Sequence, residues 1–179
     1  MKVILAFFLL FILTACGGKD VSIESTGTYF DIKGYFEKES ERLRKQSRTI
    51  LKSVEQNEQI EKKQIRLENW ETELEPFAES DINKPAWRNS YSVKSEGTTT
   101  HYISNDKSLK TERISVQKSA DGKVESISIR NSTANFLYTS TEDLLYIPDS
   151  LYSIKRQQDV LIIGPNSYTV QGNFKTAIQ

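Results

Sequence analysis

The segment TERISVQKSADGKVESISIR, residues 111–130, predicts the kind of fold that most of the chain adopts. On each side of Asp121-Gly122, apolar and polar residues alternate, for example at Ile114 and Val116 before the dipeptide. Alternation with a period of two places the apolar side chains on one face of a β-strand. Asp-Gly tolerates the positive φ of a tight turn, so the segment predicts an antiparallel hairpin.

The same period of two extends from residue 86 to near the end of the chain. Alternation or short apolar runs predict further strands around Tyr91, Tyr102, 136–138, 144–147, 160–163 and 168–174. The unbroken apolar run 160–163 predicts a central strand, and turn residues at 148–150 and 164–167 predict reversals of direction. Together these features predict an antiparallel meander of about six to eight strands.

Two amphipathic helices are predicted ahead of the strands, over residues 29–46 and 69–80. Large apolar residues recur in both segments at three-, four- or seven-residue steps, which places them on one helix face. These residues are Ile32, Tyr35, Phe36 and Leu43 in the first segment and Trp70, Leu74 and Phe77 in the second. Asn69 is a favourable N-cap for the second helix.

Residues 47–68 fit two structures. Ile50 and Val54 could continue the apolar stripe of the first helix. The segment is nevertheless rich in β-branched residues, and Gln56-Asn57-Glu58 suits a turn, so we favour a charged β-hairpin. In either case the elements indicate the α+β class, with two N-terminal helices packed on one face of the meander.

The first 16 residues have the pattern of an export signal. Lys2 gives a basic start, and residues 3–13 form an apolar run of 11 residues, whereas a transmembrane helix needs about 20. Leu13-Thr14-Ala15-Cys16 resembles the lipobox of bacterial lipoproteins, in which the peptidase cuts before the cysteine and the sulfur carries a diacylglycerol. This resemblance implies a signal peptide at residues 1–15 and lipid attachment at Cys16.

The residues after the lipobox predict a tether and a location. Residues 16–28 are mostly small and polar, which is typical of a flexible, lipidated tether ahead of one globular domain at 29–179. In lipoprotein sorting, Gly17 in place of an aspartate implies the outer membrane rather than the inner membrane, on its periplasmic or surface face. Segments 81–88 and 146–150 are similar to stretches of small uncharacterised Bacteroidota lipoproteins.

Charge and composition argue against nucleic acid as a partner and against a disulfide within the chain. Because Lys2 is the only charge in the signal, the mature chain has 23 Lys and Arg against 24 Asp and Glu. It therefore lacks the basic excess of a nucleic-acid-binding protein. Cys16 is the only cysteine, so no disulfide can form within the chain. The mean hydropathy of −0.52 is low, but two Trp and eight Tyr suffice to build a core.

Residues that could carry chemistry are few. His101 is the only histidine, and its Thr-rich surroundings are more typical of a strand or loop than of a triad base or a zinc ligand. The sequence has no Gly-x-Ser-x-Gly element and no Gly-rich phosphate loop. We therefore predict no catalytic residue, no cofactor and no metal ion, and we expect that the protein is not an enzyme.

Two residues are candidate sites of another kind. Trp87 follows Pro85 between the second helix and the sheet, so it is the tryptophan expected to be exposed and able to stack on a ligand. A tryptophan in a small domain more often fills the core, which is the alternative for Trp87. Asp149-Ser150-Leu151 resembles the short pattern that Bacteroidota glycosylate on exported proteins, which makes Ser150 a candidate glycosylation site.

These observations favour a non-catalytic, lipid-anchored accessory or binding module that contacts a protein partner. One alternative is a carrier of an apolar or lipid ligand, with a cavity of roughly 300–1,000 Å³ between helices and sheet. Helices on an antiparallel sheet behind a lipobox are similar to the carriers that bring lipoproteins to the outer membrane. The other alternative is a carboxylate-based hydrolase, in which two acids such as Glu71 and Glu142 converge in a cleft.

Overall fold

The computed structural model of the protein describes residues 28–57 and 59–174. The predicted signal peptide, Cys16 and the tether up to residue 27 lie outside these residues, so their assignment stays a prediction. A short 3-10 helix, Pro85–Trp87, precedes the third strand. The main elements of the described chain are α1 (Ile32–Gln46), β1 (Thr49–Gln56), β2 (Gln59–Arg66), α2 (Trp70–Ala78), β3 (Tyr91–Glu96), β4 (Thr99–Ser104), β5 (Thr111–Lys118), β6 (Val124–Ala134), β7 (Tyr138–Ile147), β8 (Leu151–Val160) and β9 (Gly164–Asn173).

Helix α1 is bounded by a signal at each end. The side chain of Asp31 accepts a hydrogen bond from the backbone N–H of Gly34 at 2.8 Å, which satisfies a free donor of the first turn. Ser47 ends the helix in the left-handed conformation, with a φ of 49°, and its N–H donates to the carbonyl of Leu43. The helix therefore starts three residues after the predicted start at residue 29.

Helix α2 begins where the sequence predicts it. The Asn69 side chain accepts a hydrogen bond from the N–H of Thr72 at 3.1 Å, so the predicted N-cap is confirmed. Trp70, Leu74 and Phe77 are buried on one face of the helix, as their spacing predicts. The helix ends two residues before the predicted end at residue 80. Neither described helix is long and apolar enough to cross a membrane.

Residues 47–68 form the hairpin rather than an extension of α1. β1 and β2 pair along their whole length, from Thr49 opposite Arg66 to Gln56 opposite Gln59. The other side of β1 pairs with β9, the last strand of the described chain. The hairpin therefore joins the main sheet, and β2 becomes one of its edges.

The nine described strands form one antiparallel sheet in the order β2-β1-β9-β8-β7-β6-β5-β4-β3. β3 to β9 follow one another as a meander, and the helices lie before β1 and between β2 and β3 in sequence. The α+β class is confirmed. The strand count exceeds the predicted six to eight because the hairpin adds two strands beside β9.

Three predictions at one end of the sheet are wrong. Residues 136–137 and 161–163 lie in loops between strands, so the run 160–163 is not a central strand. Residues 164–167 begin β9 instead of forming a turn. Pro165, which has no N–H, is tolerated there because β9 pairs only with β8 at this level, and its pairing with β1 starts at Tyr168.

The core lies between the two helices and one face of the sheet. Phe36 of α1 stacks on Phe77 of α2, with ring centroids 4.8 Å apart, and both rings meet Tyr146 of β7 edge-on. Trp70 of α2 meets Tyr152 of β8 in the same way. These aromatic contacts bury large apolar areas and fix both helices on the central strands.

Candidate interaction surface

Strands β6 to β9 continue past the part of the sheet that the helices cover. Alternate side chains of β7 share the face that carries the core. Along this face, Tyr146 and Leu144 are buried, Ser140 is half-buried and Tyr138 is exposed. The same strand therefore passes from a buried environment into solvent, and its far end projects beyond the helices.

Two loops at this projecting end expose large apolar side chains. Phe136 and Leu137 lie between β6 and β7, and Leu161, Ile162 and Ile163 lie between β8 and β9. We call these five residues the apolar tip. Their exposed fractions reach 88% for Phe136, 92% for Ile162 and 82% for Ile163. The N–H of Leu161 donates to the carbonyl of Leu137 at 3.0 Å, so the two loops form one surface.

Backbone hydrogen bonds order the loops without using the apolar side chains. The side chain of Asn135 accepts hydrogen bonds from the N–H groups of Leu137 and Tyr138, at 2.8 and 3.0 Å. In the other loop, the N–H of Ile163 donates to the carbonyl of Val160 at 3.1 Å. Gly164 follows with a φ of 85°, which an amino acid without a Cβ adopts readily. The apolar side chains therefore project from a defined backbone.

The two segments that carry the apolar tip contain no charged residue, and the exposed Asp159 adjoins them, two residues before Leu161. Residues 131–141 and 160–174 include no charged residue. Tyr138, which is 37% exposed, lies next to the loops and opposite Val160. Tyr168, which is 38% exposed, lies further along β9 and opposite Arg156. The tip is therefore apolar at its end and amphipathic at its base.

Three carboxylates that the helices or strands cover are each paired with a cation. The pairs are Glu39 with Arg42 at 2.6 Å, Glu73 with Lys52 at 2.7 Å, and Glu142 with Arg156 at 2.5 Å. Removing one partner from such a pair would leave a poorly hydrated charge, so each pair constrains its neighbourhood. Of the two acids named above as candidates, Glu142 is therefore paired with a cation, and Glu71 is exposed on α2.

Two core tyrosines join the first two of these pairs to the sheet. The hydroxyl of Tyr146 donates to Glu39 of α1, and the hydroxyl of Tyr152 donates to Glu73 of α2 at 2.5 Å. Burial raises the pKa of both tyrosines far above the ordinary value, and the adjacent carboxylates raise it further. The hydroxyls therefore stay protonated and act as hydrogen-bond donors that hold each helix on its strand.

The third pair marks the boundary between the covered and projecting parts of the sheet. Glu142 is 4% exposed and also accepts a hydrogen bond from the Asn131 side chain at 2.9 Å. The same amide group donates to the hydroxyl of Ser80, just after α2, at 2.9 Å. Between Glu142 and the apolar tip, β7 has no buried residue.

His101 lies on β4, on the face of the sheet opposite the helices. Its Nδ1 is 2.8 Å from the hydroxyl of Ser115 on β5, and its Nε2 is 3.8 Å from a carboxylate oxygen of Glu96 on β3. Glu96 also binds Lys94 at 2.5 Å. The ring thus takes part in cross-strand contacts, in agreement with its interpretation as a strand residue.

Trp87 is half-buried and packs against the edge of the core. The ammonium group of Lys84 lies 4.2 Å from the centre of its ring. A cation over the ring face is a favourable contact, and it occupies the face on which a ligand would stack. The structure therefore gives Trp87 a packing role and shows a neighbour already on its ring.

Ser150 ends the predicted turn at 148–150, which the structure confirms. Its N–H donates to the carbonyl of Ile147 at 3.1 Å, and its carbonyl accepts from the N–H of Phe174 at 3.0 Å. The preceding Asp149 has a positive φ of 55° and forms ion pairs with two arginines of the α1 region. Ser150 is half-buried, and its glycosylation stays a prediction.

A groove of about 700 Å³ is lined by residues of both helices. Phe36 and Leu74 contribute to it, but charged residues such as Glu37, Glu75 and Lys110 line much of it. Where a carrier would need its cavity, the described residues place packed aromatic rings. Within the described chain, no group of three or more His, Cys, Asp or Glu residues could hold a metal ion.

Sequence reasoning did not identify the apolar tip, because its two apolar runs were interpreted as strands. A signal was present in the residues that flank the runs. Asn135 precedes the first run and Gly164-Pro165 follows the second, and these residue types favour turns. Comparison of the chain with protein-family models, with curated proteins and with solved structures gives no match.

Proposed function

We propose that the protein is a non-catalytic lipoprotein of the outer membrane that acts as an accessory or binding module. Acyl chains on Cys16 would hold it to the membrane, and the folded domain would act by contact. The observation that carries this proposal is the apolar tip. It is a contiguous, exposed apolar surface built on ordered loops.

An exposed apolar surface of this kind suits binding rather than folding. Single exposed apolar residues are common on soluble proteins, but contiguous patches of several hundred Å² mark interaction sites. The tip joins two loops that are more than twenty residues apart in sequence. The five side chains of the tip are mostly exposed and contribute little to the core. We therefore propose that they serve to contact another surface.

The proposed anchor makes a modest contact surface effective. A domain on a short tether is confined next to the membrane, where its effective concentration for nearby partners is high. The partners we propose are the membrane, through the acyl chains on Cys16, and an envelope protein that meets the exposed domain. Nucleic acid is not among them, because the chain has no basic excess.

The anchor is tested by Cys16→Ser behind a signal peptide that an ordinary signal peptidase removes, because without the cysteine the lipobox would not be cut and the apolar run 3–13 would stay on the chain. The full chain is expected in the membrane fraction, with the intact mass of a polypeptide that begins at an acylated Cys16. The variant is expected to wash off membranes on dilution, because without acyl chains only weak contacts of the folded domain remain. A variant that resists washing, or a membrane-bound native chain without acyl groups, would contradict the proposal.

The accessory role is tested by cross-linking in intact cells, followed by purification and mass spectrometry. The acylated chain is expected to capture the same envelope protein in repeated preparations. Cys16→Ser, released from the membrane, is expected to capture it several-fold less. Failure to recover any reproducible partner would contradict the role as an accessory protein.

The two alternatives receive no specific support from the geometry. The space that a lipid carrier would use is filled by the rings around Phe36 and Tyr146, and the groove outside it is charged. The covered carboxylates that a hydrolase would use form ion pairs that join helices and strands. We therefore propose contact, and not transport or hydrolysis, as the activity of the domain.

A further inference from the structure

We infer that the apolar tip inserts into the interfacial layer of a lipid bilayer. This inference extends the proposed function, since it names a membrane as the surface that the tip contacts. It gives the domain a second attachment to the bilayer, separate from the acyl chains. Four properties of the tip support it.

The first property is shape. The five side chains project from loops at the end of the sheet and do not line a groove. A protein partner would need a pocket that matches Phe136, Ile162 and Ile163, as protein–protein anchors require. A fluid bilayer deforms around projecting apolar groups and accepts them to a depth of about 5–10 Å.

The second property is the position of the tyrosines. Tyr138 lies at the base of the tip, opposite Val160, and is a little over one-third exposed. Tyr168 has a similar exposure but lies further along the sheet, opposite Arg156. Tyrosine is enriched where a protein crosses the boundary between lipid and water, because its ring is apolar and its hydroxyl is polar. The order of apolar loops followed by Tyr138 therefore matches the order of layers in a membrane surface.

The third property is charge. Residues 131–141 and 160–174 contain no charged residue, so insertion of the tip carries no ion into the apolar layer. The nearest charge in sequence is the exposed Asp159, two residues before Leu161 and opposite Thr139 on β7, so insertion is limited to the loops and leaves Asp159 in the aqueous layer. The attraction should therefore depend on apolar burial and not on anionic lipids.

The fourth property is order. Hydrogen bonds at Asn135, between Leu161 and Leu137, and from Ile163 to Val160 hold both loops in place. Little conformational entropy is then lost when the tip enters the bilayer. The apolar side chains are presented in advance in the arrangement that binding uses.

The test uses the same Cys16→Ser chain, purified after export and without residues 1–15, so that neither an acyl chain nor the leader contributes, with vesicles of pure phosphatidylcholine. We expect reversible binding in flotation assays at high lipid concentration. Binding should be the same at about 0.1 M and about 0.5 M NaCl, and should not rise when anionic lipid is added. Ile162→Ser with Ile163→Ser should reduce the partition coefficient about tenfold or more.

Val93→Ser is the matched control. Val93 is an apolar residue that is 54% exposed on β3, at the opposite edge of the sheet from β1 and β2. It should leave vesicle binding unchanged. Circular dichroism and thermal unfolding of each variant establish that the fold is retained, which is expected because all three positions are exposed.

A second measurement locates the contact. Phe136→Trp places a reporter in the tip, while Trp70 and Trp87 provide the background in the parent chain. Vesicles should shift its emission to shorter wavelength, and brominated lipids should quench it. The background from the parent chain should not respond.

Several results would overturn the inference. These are an absence of vesicle binding, binding that requires anionic lipid, or tip variants that bind as well as the parent chain. A parent chain that dimerises through the tip, or an envelope protein captured through the tip without vesicle binding, would assign the surface to a protein. Capture of an envelope protein through the tip would reject the membrane contact and leave the proposed accessory function standing. A chain that binds vesicles but is not acylated at Cys16 would reject the proposed lipoprotein function and leave the membrane contact of the tip standing.

Discussion

Strands β6 to β9 are buried beneath the helices at one end, whereas the loops at their other end are exposed to solvent. At the covered end, Tyr146 and Tyr152 are fully buried beneath the helices. At the other end, Phe136 and Ile162 are almost fully exposed. The comparison shows that burial at the two ends depends on whether a helix covers the residue, and not on how hydrophobic the residue is.

Element lengths explain this difference. Helix α1 has 15 residues, which span about 22 Å at 1.5 Å each. Strand β6 has 11 residues, which span about 36 Å. Even a helix laid along the strands would leave more than 10 Å of sheet uncovered, and the apolar loops lie at that end.

The largest expected difference between the two ends comes from a matched pair of phenylalanine substitutions. Phe77→Ala removes a ring that is 0% exposed and stacked on Phe36, so it should lower the free energy of unfolding by about 3–5 kcal/mol. Phe136→Ala removes a ring that is 88% exposed and should change it by less than about 0.5 kcal/mol. Urea unfolding monitored by circular dichroism measures both values. Similar losses at the two positions would show that the tip is buried in solution.

A smaller effect is expected at the covered end when the pH rises. The hydroxyl of Tyr91 donates to the carbonyl of Thr111 at 2.9 Å, and burial raises the pKa of Tyr91 to about 12. The unfolded chain ionises this tyrosine near pH 10, so its contribution is complete below pH 10 and is lost between pH 10 and about 12. Melting temperatures measured across this range should fall less steeply for Tyr91→Phe. An equal slope in both proteins would show that Tyr91 is not responsible.

The smallest effect on stability is expected at the tip itself. Ile162→Ser with Ile163→Ser removes exposed apolar surface without opening a cavity, so the free energy of unfolding should change by no more than about 0.5 kcal/mol. The variant should instead stay monomeric at higher protein concentration, because an exposed apolar patch promotes association. Light scattering across a concentration series measures this. A large loss of stability would mean that these isoleucines pack in the fold.

The sequence predicted those elements that depend on nearby residues. Asn69 predicted the start of α2, and the Asp121-Gly122 turn predicted a hairpin between β5 and β6. The prediction of a central strand at 160–163 is wrong because an unbroken apolar run is typical of a buried strand, and no local signal shows how far a helix reaches. The pairing of β1 with β9 was likewise beyond prediction, since it joins residues more than a hundred positions apart.

For the candidate site, the sequence predicted an address and a lack of catalytic groups, but not the surface that makes contact. The apolar tip depends on two loops that approach each other only after the sheet has formed, through the Leu161–Leu137 hydrogen bond. The exposure of Trp87 also depends on tertiary structure, because the ring is half-buried against the edge of the core. Chemistry could be predicted from residue types, whereas exposure could not.

The pairing of β1 with β9 has a consequence for the timing of folding. A chain that leaves a ribosome or an export channel from its N-terminus presents β1 and β2 long before β9. Until the last strand emerges, one side of β1 has no partner, and an isolated two-stranded hairpin is marginally stable in water. The described sheet can therefore be completed only after β9 has emerged, so β1 remains without its second neighbour until then.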